Sequence, residues 1–366
     1  MTMRTISRRE FAAASAAGLG LAALPVRAQT GAPAKPVGYA AIGLGTISEI
    51  FMRSCEGSAT AKITALVTGH PKEKGEKFAA QYGIPLSSIY TYETFDRIKD
   101  NKDVDAVYIG LPNGMHREFT VRAAAAGKHV LCEKPMANTS AECQEMIDAC
   151  RKAAVKLMIA YRIQHEPLYA EALRMIRAGD LGEIESFQGG FFNQQRAGAW
   201  RLNKKLAGGG PIFDLGVYPL NAIRMITGEE PNRFSAVMGT REAGERFAEV
   251  EQSMEWTMKF PSGIVASCSC SYGARASGYF RVNGANSSLI FEPAFNYDGI
   301  RVRGQAAGKP VDITSPNKHP YMFTIQAEHF AQCIRNNQQP RSTGEDGRKD
   351  LLAIEAIYKA AGSPIA

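Results

Sequence analysis

The chain is predicted to be an α/β protein whose first part is a doubly wound parallel sheet. Three observations carry that reading. A short apolar strand at 37–42 runs straight into a glycine turn and then a helix. Short apolar strands then alternate with helical stretches as far as residue 161, the order that gives a parallel sheet with helices on both faces. Beyond residue 162, further strand-like runs stand at 185–192, 250–260, 263–272 and 288–292, and the length leaves room for a second domain.

The first residues read as an address rather than as structure. Ser7-Arg8-Arg9-Glu10-Phe11 is a twin-arginine pattern, an alanine- and glycine-rich run follows to Leu24, and Val26-Arg27-Ala28 supplies a small-residue cleavage site. This predicts a Tat-type signal cut after Ala28, with the Tat export machinery as a partner and the periplasm as destination. The run falls short of the roughly 20 apolar residues a bilayer span requires, so no membrane association is expected of the mature chain.

Apolar residues make up 45% of the sequence, enough for a sizeable core. Of the formal charge of +7, the signal's four arginines and one glutamate account for +3. No block of lysines and arginines remains, so no nucleic-acid partner is expected. The seven cysteines are scattered and odd in number, which makes a poor disulfide framework, and Cys268-Ser269-Cys270 has neither zinc nor redox spacing. Buried free thiols are expected. The six histidines show no ligand spacing, so no metal is expected.

The strand at 37–42 delivers Gly43-Leu44-Gly45-Thr46-Ile47-Ser48, and 49–53 reads as helix. That is the context a G-x-G-x-x-G dinucleotide fingerprint needs, with Ser48 at the third small position. The first glycine permits the tight turn, and the second lets the backbone approach a pyrophosphate at the helix N-terminus. A second strand at 63–67 ends in Thr68-Gly69-His70-Pro71-Lys72-Glu73-Lys74. The carboxylate that binds a ribose 2′-hydroxyl is missing there, and Lys72 and Lys74 would welcome a 2′-phosphate, so the expected cofactor is NADP. The competing reading is that both lysines merely solvate a helix start. A third strand at 105–109 ends at Leu111-Pro112-Asn113, with His116 just after. A fourth at 129–132 delivers Glu133-Lys134-Pro135, and 156–161 reads as a further strand. Helices at 117–126 and 140–154 lie between them, completing a Rossmann-type domain.

With segments further downstream, these residues resemble the glucose–fructose oxidoreductase/inositol dehydrogenase (Gfo/Idh/MocA) family of two-domain nicotinamide enzymes. The matching stretches are Gly43-Leu44-Gly45, Leu111-Pro112-Asn113 with His116, the run from Ala126-Gly127-Lys128 to Cys132-Glu133-Lys134-Pro135-Met136-Ala137, Trp200-Arg201-Leu202, Leu206-Ala207-Gly208-Gly209-Gly210 and Asp214-Leu215-Gly216-Val217-Tyr218. A final helix at 346–361 also has the family look. The export signal, the missing acidic residue and Tyr218, where inositol dehydrogenase-like members usually carry histidine, draw the chain toward the exported glucose–fructose and aldose–aldose oxidoreductase branch. Glucose–fructose oxidoreductase has a long N-terminal arm that wraps the cofactor, whereas the arm here is only 29–36.

The resemblance implies an order of segments. A signal at 1–28 and the arm at 29–36 precede an NADP-binding Rossmann domain at 37–161. A substrate and oligomerisation domain of α+β construction follows at 162–341, with an open, mainly antiparallel sheet. Residues 342–366 form a C-terminal helix packing back on the first domain. One sheet face is expected to join a homo-oligomer, a dimer or tetramer.

Oxidising a sugar hydroxyl needs a hydride acceptor and a base for the hydroxyl proton. Tyr218 is the expected acid/base. A phenol is a weak base near neutrality unless positive charge stands beside it, and Lys134 is expected to supply that charge and to hydrogen-bond the reacting oxygen. Asp214, four residues before Tyr218, shares a face with it if the segment is helical, and would orient the lysine or bind a sugar hydroxyl. The bland alternatives are a surface lysine, a helix cap and a half-buried aromatic. The expected catalytic set is thus Lys134, Tyr218 and Asp214, with Tyr161 and Arg201 joining them around the substrate. Expected cofactor contacts are Gly43, Leu44, Gly45, Thr46, Ile47, Thr68, Gly69, Lys72, Lys74, Leu111, Asn113, His116, Glu133, Lys134, Arg162, Trp200 and Arg201. Arg196 and Tyr321 are further candidates.

An exported enzyme meets essentially no free NADP, so it would carry the cofactor out tightly bound and recycle it. The expected chemistry is ping-pong: an aldose is oxidised at C1 to a lactone, and a second sugar carbonyl is reduced to a polyol such as sorbitol. The alternatives are a conventional NADP-dependent sugar or polyol dehydrogenase with exchangeable cofactor, and a non-catalytic NADP-binding sensor.

Overall fold

The computed structural model describes residues 35–241 and 244–365. The predicted export signal, and the arm up to residue 34, lie outside them. The first of two sheets contains β1 (Val37–Ile42), β2 (Ala61–Val67), β3 (Ile89–Tyr90), β4 (Ala106–Ile109), β5 (His129–Glu133) and β6 (Leu157–Ala160), in the order β3-β2-β1-β4-β5-β6. Every pairing is parallel. β1 and β4 are buried along their whole length, which is why they read as unbroken apolar runs: a strand covered on both faces has no polar side. Between the strands run α1 (Thr46–Ser54), α2 (Glu76–Tyr82), α3 (His116–Ala125) and α4 (Ser140–Lys152). Strand order reverses between β1 and β4, so the glycine turn after β1 and the loop after β4 open side by side, at the crevice where such sheets bind ligands.

Local chemistry fixes the helix starts. Thr139 accepts from the Glu142 N–H at 3.2 Å, while the Glu142 carboxylate reaches back to the Asn138 N–H at 3.0 Å. β3 was not foreseen, because two residues at a sheet edge carry no periodic signal.

α5 (Pro167–Arg177) leads into the second sheet. Its strands are β7 (Ile184–Phe192), β8 (Arg233–Gly239), β9 (Ser253–Lys259), β10 (Val265–Ser271), β11 (Ser277–Gly284), β12 (Ser288–Phe291), β13 (Arg301–Ala306) and β14 (Lys309–Thr314), in the order β14-β13-β12-β11-β7-β10-β9-β8. Every pairing is antiparallel except β7 with β10. The four expected runs correspond to β7, β9, β10 and β12. β8, β11, β13 and β14 escaped notice. The two edge strands, β8 and β14, do alternate half-buried with exposed residues, but neither buries a residue fully, and exposed Val237 in β8 and Pro310 in β14 blur the pattern.

α6 (Val217–Thr227) lies between β7 and β8, and α7 (Tyr321–Arg335) and α8 (Gly344–Ala360) end the chain. Before α8 the backbone returns to the first sheet. Ile159 N–H donates to the Ser342 carbonyl at 2.9 Å, and Ser342 Oγ donates to the Ile159 carbonyl at 2.6 Å. α8 then lies against α4, where Glu355 accepts from the Ser140 N–H and hydroxyl at 2.6 and 2.8 Å.

A buried ionic network joins α6 to α8. The Arg224 guanidinium, 3% exposed, pairs with Asp350 at 2.5 Å, Glu230 at 2.6 Å and Asp346 at 3.1 Å. Arg224→Met is expected to cost about 3–5 kcal/mol, because it strands the fully buried Asp350 carboxylate without its cation. A denaturant midpoint at neutral pH measures this. Burial pushes the Asp350 carboxyl up from 3.8 to about 6 even with the arginine present. A raised carboxyl holds its proton longer in the folded state, so its contribution is favourable in acid and is lost as pH rises through about 6. The variant should accordingly recover part of its deficit on acidification.

Candidate active site

The cleft between the two sheets encloses about 1390 Å³. Its floor is the strand ends of the first sheet. Gly43 turns with φ of +80°, and a Cβ there would stand 2.6 Å from Leu111 Cδ2 and 2.9 Å from the Gly110 carbonyl, so only glycine lets the turns after β1 and β4 meet. Gly45 differs: it caps α1 with φ of −97°, and a Cβ there would meet no protein atom within 4 Å. Packing does not demand a glycine at that position; a side chain would stand in the cleft. No side chain caps α1 either, which leaves its first-turn N–H groups for an anion. The cradle fits a dinucleotide pyrophosphate. Gly45→Val is expected to abolish the thermal stabilisation given by added NADP while shifting apo stability by no more than about 0.5 kcal/mol; melting curves with and without nucleotide test this.

The cleft's reacting end is built where β5 finishes. Glu133 is buried, which pushes its carboxyl up, and it accepts from Tyr108 Oη at 2.6 Å and from the Lys134 N–H at 3.2 Å. Lys134 Nζ donates to the Asp214 carbonyl at 2.7 Å and to its carboxylate at 3.2 Å, and lies 4.5 Å from the centre of the Tyr218 ring. Arg201 Nε stands 2.8 Å from the other Asp214 oxygen. Burial works against the charged form of Asp214, but Arg201 and Lys134 outweigh it and hold the carboxyl below the usual carboxylate range.

Asp214 and Tyr218 do not sit on one regular helix. Ile212–Gly216 is a wide π-type turn, and α6 begins after it. Pro219 has no N–H to return to this turn, and the Asp214 carbonyl is taken by Lys134 instead. The lysine therefore inserts between aspartate and tyrosine. The Tyr218 hydroxyl accepts from Arg162 Nε at 3.2 Å, and its ring packs between Phe191 and Phe295.

Comparison with known proteins agrees with this architecture. Residues 37–161 match the family described as "Oxidoreductase family, NAD-binding Rossmann fold", and residues 169–290 match the "GFO/IDH/MocA C-terminal domain". A D-xylose 1-dehydrogenase [NADP(+)] of Haloarcula marismortui is 31% identical over 89% of this chain and 91% of its own. The chain belongs to the Gfo/Idh/MocA oxidoreductase family. The aldose-aldose oxidoreductase of Caulobacter crescentus, solved with glycerol, superimposes with a TM-score of 0.85 at 44% identity, covering 89% of this chain and 98% of that one. A 1,5-anhydro-D-fructose reductase of Ensifer adhaerens is 28% identical over 88% of this chain and 95% of its own.

In this Gfo/Idh/MocA chain most of the expected site residues line one cleft: Gly43 to Ile47, Thr68, Lys74, Leu111, Asn113, Glu133, Lys134, Arg162, Trp200, Arg201, Asp214 and Tyr218, with Arg196. Five do not. Tyr161 is 1% exposed and its hydroxyl lies beside Asp350: the chain bends at Tyr161 as it leaves β6 and enters a 3₁₀ turn at Arg162, which takes the side of the cleft. His116 is fully buried, with its ring nitrogens 2.8 Å from the Leu111 carbonyl and 3.1 Å from the Pro135 carbonyl; it ties two cleft loops together from behind. Lys72 points to solvent from the first turn after His70, Gly69 lies against Tyr92, and Tyr321 is on the surface at the start of α7. His70, Tyr272 and Tyr297 line the cleft unforeseen. Tyr297 lies in an irregular loop after β12 and carries no motif; only its contact with Arg162, 4.6 Å from its ring centre, reveals it.

Lys134 was expected to stand beside Tyr218 as a positive charge, and its Nζ does lie 4.5 Å from the ring centre. The hydrogen bond to the Tyr218 hydroxyl comes from Arg162, which was not foreseen, while the hydrogen bonds of the lysine go to Asp214. All seven cysteines are buried free thiols.

Proposed function

We propose that this NADP-dependent sugar oxidoreductase oxidises an aldose at C1 to the lactone and then reduces a second sugar carbonyl to a polyol in the same cleft, with NADP(H) retained between the two half-reactions. The observation that carries the reading is Lys134 held between Asp214 and Tyr218 at the meeting of the two sheets. When bound, NADP supplies the hydride acceptor for the first half-reaction and the donor for the second. Gly43 to Ile47 would hold its pyrophosphate, and Thr68 with Lys74 its 2′-phosphate. Lys134 hydrogen-bonds the reacting oxygen of the sugar. Tyr218 takes the hydroxyl proton during oxidation and returns one during reduction. Asp214 keeps the lysine in place and shares its other oxygen with Arg201.

The similarity to an aldose-aldose oxidoreductase supports a sugar as both donor and acceptor. The similarity to an NADP-dependent D-xylose 1-dehydrogenase favours a second reading, a conventional dehydrogenase that releases its cofactor each cycle. The twin-arginine segment supports export to the periplasm, with a signal cut after Ala28, and there retention of the cofactor is the workable arrangement. Val237, Val265 and Tyr279 stand exposed on the second sheet, the face we assign to a homo-oligomer.

The deciding experiment adds an aldose, and no cofactor, to purified mature protein. The absorbance band of reduced nicotinamide is expected to rise and to be reversed by a second sugar. A protein that responds only when NADP is added is the conventional dehydrogenase.

A further inference from the structure

Arg162 is 4% exposed, and its hydrogen bonds all go to neutral groups: the carbonyls of Phe295 and Asn296, the sulfur of Met322, and the hydroxyl of Tyr218. A buried cation held by neutral acceptors is a costly arrangement unless an anion forms beside it. The carboxylates near it are otherwise engaged. Glu133 is bound by Tyr108 and by the Lys134 amide, and Glu166 by Ser315 and the Leu168 N–H. Asp214 faces Lys134 and Arg201. What remains within reach, at 3.2 Å from Nε, is the Tyr218 oxygen, which becomes an anion when it loses its proton.

We infer that Arg162 is the positioning residue that makes Tyr218 a usable base, fixing its oxygen and carrying its counter-charge, while Lys134 serves the substrate oxygen. Two pieces of geometry separate the roles. Lys134 lies over the face of the Tyr218 ring, and its hydrogen bonds go to Asp214. Arg162 is clamped from behind by backbone carbonyls and stacks on both Tyr218 and Tyr297, at 4.9 and 4.6 Å from their ring centres. It can neither swing to solvent nor follow the substrate. In the oxidative direction the phenolate accepts the substrate's hydroxyl proton and becomes the phenol, while the C–H electron pair leaves as hydride to the acceptor already named. In the reductive direction the phenol gives that proton back. The groups that face this pair are Lys134 and Glu133 at the end of β5, Asp214 in the wide turn, Glu166 before α5, Tyr297 after β12 and His319 before α7.

The inference rests on Tyr218 as the acid/base, and the test separates the two. Phenolate absorbance is titrated in the purified protein, and the titration of Tyr218→Phe is subtracted to isolate one tyrosine. In Arg162→Met the midpoint of that difference is expected to rise by about one pH unit or more, the effect of removing a cation at this range. The ascending limb of kcat against pH should move with it, and kcat should recover toward the wild-type plateau at high pH. Lys134→Met should lower the plateau and move the limb less. If Arg162→Met does not fold, Arg162→Lys carries the test, with a smaller shift of the same sign. A folded Arg162 variant with an unmoved midpoint, or a larger shift in Lys134→Met, overturns the inference. Full activity in Tyr218→Phe would instead overturn the reading of Tyr218 as acid/base, whatever the titration shows.

Discussion

Tyr218→Phe is expected to lower kcat for aldose oxidation by about 10²–10⁴-fold, the usual contribution of one positioned acid/base. KM and the stabilisation by NADP should change little. The substitution removes a single oxygen and keeps the ring, so the contacts with Phe191 and Phe295 survive and the fold is not at stake. What is lost is the acceptor of Arg162 Nε and the proton carrier. Both half-reactions should fall together, since the same hydroxyl takes a proton in one and gives it in the other. Steady-state kinetics in each direction, beside a nucleotide-dependent melting curve, measure this. A drop of less than about threefold would remove Tyr218 from the chemistry.

Lys134→Met is expected to cost a comparable factor in kcat/KM, about 10²–10⁴, but to act differently on the surroundings. It takes away the donor aimed at the reacting oxygen and one of the two cations that hold Asp214 ionised. Arg201 remains at 2.8 Å, so the carboxylate keeps a partner and the apo protein should stay folded. A carboxyl held below its ordinary value stabilises the fold above that ordinary value, and the benefit is lost as pH falls through the depressed one. With Lys134 gone, that acid limit should move upward. Acid unfolding of variant and parent, followed by circular dichroism, reads the shift. A protein that binds nucleotide and behaves the same with methionine at 134 would be a sensor rather than an enzyme.

The parts of the site that were legible in the sequence are those where backbone geometry forces a residue type. Gly43 must be glycine because Gly110 and Leu111 leave no room for a Cβ. Lys134, Asp214 and Tyr218 sit in stretches whose turns and strand ends fix their direction. Parallel strands such as β1 and β4 announced themselves because burial on both faces makes them wholly apolar. The rest depended on contacts between distant segments. Tyr272 and Tyr297 reach the cleft from the second sheet and a loop, and nothing local to them says so. Tyr161 and Arg162 looked equivalent as neighbours, yet the chain bends between β6 and the 3₁₀ turn that begins at Arg162, and only contacts with distant segments such as α8 decide which one is hidden. The division of labour between Arg162 and Lys134 was equally out of reach, since it turns on a wide turn whose carbonyl captures the lysine.

The return of the backbone to β6 has a consequence for how the protein comes into being. Ser342 closes the side of β6 that β5 leaves open, and α8 then covers α4. A nascent chain that has emerged only as far as residue 161 still has a bare strand edge, the kind of surface that recruits other chains. The first sheet thus has its β6 edge covered only by a segment from beyond the second sheet. Its last seam is sewn by residues nearly two hundred positions downstream of β6, and a chain cut before Ser342 should show itself as aggregation before it shows itself as lost activity.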